Sequence, residues 1–252
     1  MLPPMHPRLP VLLVACLGLA ACRGGGAREL KVSAAMSLKE TFTALEAGFE
    51  ARHPEVDVVF NFAGSQVLAG QIAEGAPVDV FAAADEPQMQ RAIASGRVEP
   101  AELFARNRLA LITPANDPAK ISGAADLARP GLRLVLAGPG VPAGAYARTA
   151  LQQLGVAAPA LANLVSNEEN VRGVVGKVSS GEADAGIVYV TDVTSAVADK
   201  LRVLPLEVDV TPRYEVAVLK DSHEPGLARE FVAELRGPTG QTILTSHGFL
   251  LP

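Results

Sequence analysis

Aromatic residues are scarce in this sequence. Its 252 residues include no tryptophan, three tyrosines and eight phenylalanines, so surfaces on which sugars or nucleobases could stack are few. It also has no run of lysine or arginine, and its formal net charge is −5. Since nucleic-acid binding requires a basic surface, we expect no nucleic-acid partner. The remaining composition, 49% hydrophobic and 19% charged, is that of an ordinary globular protein.

Cysteine is equally rare, and both cysteines lie in the first 22 residues. Arg8 followed by an apolar run over 11–21 is typical of an export signal, and the run is too short for a transmembrane helix of about 20 residues. The sequence "LAAC" ending at Cys22 resembles a bacterial lipobox, which predicts a signal peptide over 1–21, lipidation of Cys22 and a tether over 22–28. The alternative is an ordinary signal peptide cleaved near "LAA". We therefore expect an exported protein, anchored to a membrane in the periplasm or at the cell surface.

Conventional catalytic motifs are missing from the mature sequence. Its three histidines form no HExxH pattern, and no G-x-S-x-G nucleophile elbow occurs. The glycines of residues 173–180 do not have Walker A spacing, and those of 138–144 do not fit a dinucleotide-binding loop. We accordingly expect no enzymatic activity, no cofactor and no metal site of the protein's own.

Short apolar runs alternate with helical patterns along the chain. Strands are predicted at 30–35, 56–62, 78–84, 108–113, 132–137, 185–190, 201–206 and 214–219. Helices are predicted between them, including 66–74, 144–154 and 167–180, and two more begin near Pro225 and Pro238. This alternation predicts an α/β fold with a mainly parallel sheet.

Four strand-to-helix junctions consist of small, uncharged residues. Two are predicted capping boxes, Ser37 with Glu40 and Ser166 with Glu169; the others are the Gly64–Ser65 pair and the segment 141–146. The start of a helix offers free N–H groups and a positive dipole end, so junctions that converge would bind an anion. The alternative is that each junction only caps its own helix. Spacing alone does not decide between the two.

Several segments together resemble a known family. They are "AAMSL", "NFAGSQVLAGQIAEGAPVDVFAAAD", "RLALITP", "VPAGAYARTAL", "ENVRG" and "GIVYVTD". In this order they are similar to the periplasmic molybdate-binding proteins of ABC importers. The resemblance runs from Leu30 to the C-terminal "GFLLP".

The resemblance implies a two-lobed periplasmic-binding-protein fold of type II, the Venus-flytrap fold, in which each lobe has a mainly parallel sheet. Lobe I would comprise 29–108 plus 214–252 and lobe II 109–213, with the chain crossing between them near 109–113 and 211–215. The ligand would lie between the lobes. Its donors would be the hydroxyl and backbone N–H of Ser37, the side chains of Ser65 and Tyr189, and the backbone N–H groups of Ala143 and Val171. A departure from the family occurs at Gln66, where many members carry Ser or Gly.

The implied ligand is molybdate, or the similar tungstate, delivered to an ABC permease by a monomeric binding protein. A site made only of donors suits a fully deprotonated oxyanion, whereas hydrogen phosphate would need an acceptor. Sulfate and thiosulfate are the alternative ligands within the same class. An exported enzyme and a ligand-sensing subunit that signals to a membrane partner are the alternatives of other classes.

Overall fold

Two five-stranded sheets organise the part of the chain that the structure, a computed structural model, describes, residues 27–252. The predicted signal peptide and Cys22 lie outside these residues. The strands are β1 (Arg28–Ala35), β2 (Val56–Ala63), β3 (Val80–Ala83), β4 (Glu102–Arg106), β5 (Leu109–Pro114), β6 (Leu134–Ala137), β7 (Leu164–Glu168), β8 (Ala185–Tyr189), β9 (Leu201–Pro205) and β10 (Arg213–Val218).

Helices follow most of the strands. They are α1 (Lys39–Arg52), α2 (Ser65–Ala73), α3 (Glu86–Ala94), α4 (Pro142–Gln153), α5 (Ala157–Ala162), α6 (Val171–Ser179), α7 (Pro225–Arg236) and α8 (Pro238–Ser246). Within 27–252, no helix is both long and apolar enough to cross a membrane.

The two sheets have the same design. Their strand orders are β2-β1-β3-β10-β4 and β7-β6-β8-β5-β9. In each, three neighbouring strands are parallel, the fourth is antiparallel and the fifth pairs antiparallel with the fourth. Four of five strands therefore share one direction, which agrees with the predicted mainly parallel sheets. We call the units built on these sheets lobe I and lobe II.

The chain passes between the sheets at two connections. Asn107 and Arg108 join β4 to β5, and residues 206–212 join β9 to β10. The strand that follows each connection, β5 or β10, is the reversed strand of its sheet. Both connections lie within a few residues of the crossings that the resemblance implies.

The cores of the two lobes differ in composition. All eight phenylalanines belong to lobe I, where the Phe42 ring meets those of Phe60, Phe104 and Phe231 at centroid distances of 5.9–6.1 Å. Lobe II packs aliphatic side chains, among them the buried valine stripe of α6 at 171, 174, 175 and 178. Each such side chain contributes roughly 1.5–3 kcal/mol when fully buried, so both lobes bury substantial apolar surface.

Three elements differ from the sequence prediction. The predicted helix over 167–180 is two elements, the edge strand β7 and helix α6, which begins at Val171. β7 was missed because its sequence, LVSNE, is mostly polar and only partly buried. Strand β4 and the short helix α5 were not predicted either.

Candidate functional site

A small cavity lies between the lobes, where the carboxyl ends of the parallel strands of both sheets meet. Its volume is about 20 Å³, enough for a single small ion or one water molecule. In α/β proteins this edge of the sheet is the usual place for a ligand. The lining residues are all uncharged: Ala35, Met36, Ser37, Gly64, Ser65, Ala84, Val141, Pro142, Ala143, Asn170, Val171 and Tyr189.

The five residues named by the resemblance all line this one cavity. Ser37 and Ser65 reach it from lobe I, and Ala143, Val171 and Tyr189 from lobe II. All five are buried, so the lobes are closed on one another around the cavity.

Ser37 reaches the cavity from a short 3₁₀ turn, Met36–Leu38, that precedes α1. The predicted capping box with Glu40 is wrong, because α1 begins only at Lys39 and no side chain caps either helical segment. The Ser37 hydroxyl lies 3.0 Å from the Tyr214 hydroxyl, which also accepts a hydrogen bond from Asn107 Nδ2 at 3.4 Å. With Tyr214 donating to Ser37, the Ser37 proton is left for a ligand.

Ser65 is the first residue of α2, directly after the N-cap Gly64. Its hydroxyl accepts the backbone N–H of Ala84 at 3.1 Å. This bond fixes the side chain between two strand ends and leaves the hydroxyl proton to be donated. The predicted helix start at Gly64–Ser65 is thus confirmed.

Gln66 does not line the cavity. Its side chain folds over Gly64, where a Cβ would come within 2.4 Å of Gln66 Oε1. From there Nε2 donates to the backbone carbonyl of Glu169 in lobe II at 3.0 Å. The residue that departs from the family pattern therefore forms a contact between the lobes beside the site.

Two helices of lobe II, α4 and α6, begin at the cavity, and the backbone N–H groups of their first turns have no acceptor within the helix. The first hydrogen bond of α4 runs from the N–H of Ala145 to the carbonyl of Val141 at 2.9 Å, so the N–H of Ala143 has no acceptor within the helix. In α6, the Asn170 side chain caps the N–H groups of Arg172 and Gly173. The N–H of Val171, one residue earlier, is not bonded by the Asn170 side chain.

The predicted capping box of Ser166 with Glu169 is wrong. Ser166 lies in β7, where its hydroxyl donates to the Glu168 carboxylate at 2.6 Å. Asn170 takes the cap position because the strand continues to Glu168 and α6 begins only at Val171.

Tyr189 is the last residue of β8, and its side chain is 1% exposed. Its hydroxyl is buried and has no hydrogen-bond partner within residues 27–252. Burial raises the pKa of the phenol well above its ordinary value, so the hydroxyl remains a neutral donor. A buried polar group without a partner costs about 1–3 kcal/mol, and a ligand in the cavity would remove this cost.

A buried carboxyl group, that of Asp192, forms a hydrogen bond with the backbone of Tyr189. Asp192 accepts the backbone N–H of Tyr189 at 2.9 Å, and burial raises the pKa of Asp192 to about 7. Near neutral pH a large fraction of this group is therefore protonated, which limits its repulsion of an anion. Because the pKa is raised above its unfolded value, ionisation of Asp192 lowers folding stability as the pH rises from about 4 to 7.

Several residues of the site were not found from the sequence. Asn170 lines the cavity and caps α6, while Asn107 and Tyr214 orient Ser37. Asn before an apolar residue is a cap signal, so Asn170 was detectable. The other two act through contacts between distant parts of the chain, which periodicity does not reveal.

Comparison with known proteins agrees with this arrangement. Residues 30–250 match the family described as bacterial extracellular solute-binding proteins. The molybdate-binding protein ModA of Mycobacterium tuberculosis is 42% identical to the chain over 231 residues, which are 90% of this chain and 86% of that protein.

Solved structures show the fold. The periplasmic molybdate-binding protein of Azotobacter vinelandii matches with a TM-score of 0.76 at 24% identity, over 88% of this chain and 99% of that one. The sulfate-binding protein SubI of Mycobacterium tuberculosis matches with a TM-score of 0.79 at 17% identity, over 88% and 86% of the two chains. The predicted two-lobed periplasmic-binding-protein fold is thereby confirmed.

The resemblance that the sequence motifs indicate is confirmed as well, since the similarity extends over nearly the whole described chain. The protein belongs to the family of bacterial extracellular solute-binding proteins.

Proposed function

We propose that this protein binds molybdate, and also tungstate, in the cavity between its lobes and delivers the anion to an ABC permease. The observation that carries the proposal is the Tyr189 hydroxyl, which is buried in the cavity and has no hydrogen-bond partner among residues 27–252. The described residues that line the cavity are all uncharged. The 42% identity to a molybdate-binding protein supports the choice of ligand.

The proposed ligand shell consists of donors. The hydroxyls of Ser37, Ser65 and Tyr189 and the N–H groups of Ala143 and Val171 bind the oxygens of the anion. Hydrogen bonds to a charged acceptor are about twice as strong as those between neutral groups. Donors that are already fixed by Tyr214, Ala84 and Asn170 need little reorganisation, which favours tight binding.

Sulfate is the second candidate within the same function, favoured by the structural likeness to a sulfate-binding protein. Both ions are tetrahedral and carry no proton at neutral pH, so the same donors suit both. The two differ in size, which makes the cavity dimensions the basis of selectivity.

The proposed mechanism is capture, closure and delivery. Lobe I (29–108 plus 214–252) and lobe II (109–213) open about the two connections, take up the anion and close over it. The division of strands between the two sheets supports these boundaries. The protein performs no chemistry on its ligand, acts as a monomer and needs no cofactor.

The proposed location follows from the sequence before residue 27. A signal peptide over 1–21 directs export, and the lipidated Cys22 with its tether anchors the protein to a membrane. Membership of an extracellular family supports export.

A thermal-shift comparison of four anions tests the proposed function. The soluble chain beginning after Cys22 is heated with molybdate, tungstate, sulfate or phosphate in excess. A ligand at 100 times its Kd adds about 2.7 kcal/mol, and about 2–4 °C per kcal/mol is expected at this chain length, which gives a shift of roughly 5–10 °C. We expect this shift with molybdate and tungstate. A shift with sulfate alone would show that the ligand is sulfate and not molybdate. No shift with any of the four anions would contradict the proposed function.

A further inference from the structure

Among residues 27–252, one ion pair joins the two lobes, and it lies next to the cavity. Arg172 of lobe II pairs with Glu40 of lobe I. The other ion pairs within residues 27–252 each join two residues of the same lobe. In the described part of the chain, Glu40 and Arg172 thus form the only ion pair across the cleft.

This pair connects two of the helix starts that form the site, those of α1 and α6. Glu40 lies in the first turn of α1, three residues after Ser37. Arg172 follows Val171 directly, and its own backbone N–H is held by the Asn170 cap. The ion pair therefore links the position of the Ser37 hydroxyl in lobe I to that of the Val171 N–H in lobe II.

We propose that Glu40 and Arg172 are positioning residues that hold the lobes closed and fix the N–H of Val171 at the bound oxyanion. This inference rests on the proposed function. Neither side chain lines the cavity, so the pair acts through the helix starts and not by touching the ligand.

Two neighbouring hydrogen bonds also join the lobes, but they differ from the ion pair in charge. Gln66 donates to the carbonyl of Glu169 at 3.0 Å and Gln88 to the carbonyl of Gly140 at 3.3 Å, both across the cleft. In these contacts a neutral amide meets a backbone carbonyl. The ion pair is charged on both sides, and its side chains are 32% and 35% exposed, so its contribution is partly screened by solvent.

A different role for Arg172 would be to attract the anion by its charge alone. The two roles make opposite predictions for Glu40. If only charge matters, removing the negative Glu40 strengthens anion binding. If the pair holds the lobes closed, the same change weakens binding, because the closed state loses stability.

The experiment is a double-mutant cycle on molybdate affinity, with Glu40→Gln, Arg172→Gln and the double variant measured by titration calorimetry. We expect Glu40→Gln to raise the Kd about two- to fivefold, the range for a partly exposed ion pair. The double variant should bind no more weakly than Arg172→Gln, since the interaction is already lost in each single variant. High salt should reduce the difference from wild type.

Glu99→Gln is the matched control. Glu99 pairs with Arg229 within lobe I, so this variant has the same charge change without loss of a contact between lobes, and its Kd should equal that of wild type. Unchanged or tighter binding by Glu40→Gln would overturn the inference while the proposed function stands. Absence of molybdate binding by wild type would contradict the proposed function itself.

Discussion

Replacing Tyr189 with Phe is expected to weaken molybdate binding by about 10- to 150-fold, the range for one hydrogen bond to a charged group. The unliganded protein should be at least as stable as wild type. In the described part of the chain the hydroxyl has no hydrogen-bond partner to lose, and the ring keeps its packing against Tyr214 at a centroid distance of 5.7 Å. Affinity is measured by titration calorimetry and stability by thermal unfolding without ligand.

Tyr146→Phe serves as the control for this change. Tyr146 also loses one hydroxyl in the substitution, but it does not line the cavity. Its hydroxyl accepts a long bond of 3.4 Å, between neutral groups, from the N–H of Arg213 at the start of β10. Loss of this weak contact between the lobes should raise the Kd for molybdate about twofold at most, far less than loss of the Tyr189 hydroxyl. If Tyr189→Phe binds as tightly as wild type, the hydroxyl is no ligand donor and the proposed shell is wrong.

Replacing Gly144 with Ala is expected to damage both stability and binding. A Cβ at this position would lie 2.0 Å from the carbonyl oxygen of Gly138 and 2.3 Å from that of Ala137. Both obstacles are backbone atoms, so α4 must move away from the end of β6. Forcing extra atoms into a packed site costs roughly 1–3 kcal/mol, and we expect the upper end, which lowers Tm by about 6–12 °C.

The loss of binding in this variant has a geometric cause. Ala143 precedes Gly144 in the first turn of α4, so any displacement of the helix start moves the Ala143 N–H away from the ligand. Displacement of a positioned group by about 1 Å is costly where binding depends on fixed geometry. We expect at least a tenfold rise in the Kd for molybdate.

Gly140→Ala in the same loop is the control for Gly144. A Cβ on Gly140 would meet no atom within 4 Å, so stability and affinity should change little. If Gly144→Ala were as stable as wild type and bound molybdate equally well, the close approach of α4 to β6 would not position the site.

The sequence predicts the architecture well because buried strands and helices have apolar residues at regular spacings. The run at 78–84 is apolar except for Asp79 and contains β3, whose four residues are all buried. The valine spacing of α6 gives its buried stripe. The polar edge strand β7 has no such spacing. Both capping boxes failed because a local motif does not determine where a helix begins: a 3₁₀ turn shifts α1, and the continuation of β7 shifts α6.

The site is less visible in the sequence than the fold. Residue patterns indicate four junctions suited to an anion, but their convergence depends on how the two sheets face each other. The resemblance, and not periodicity, supplied the five lining residues. Partners distant in the chain, such as Tyr214 beside Ser37 or Glu40 beside Arg172, become known only when the chain is folded.

The proposed site places an oxyanion among these five donors. A crystal grown with molybdate and measured with X-rays at the molybdenum absorption edge tests it most directly, because anomalous scattering locates the metal atom. We expect one strong peak in the cavity, with oxygens about 2.7–3.2 Å from the donors of Ser37, Ser65, Ala143, Val171 and Tyr189. A peak elsewhere, or one whose oxygens do not meet the Tyr189 hydroxyl, would contradict it.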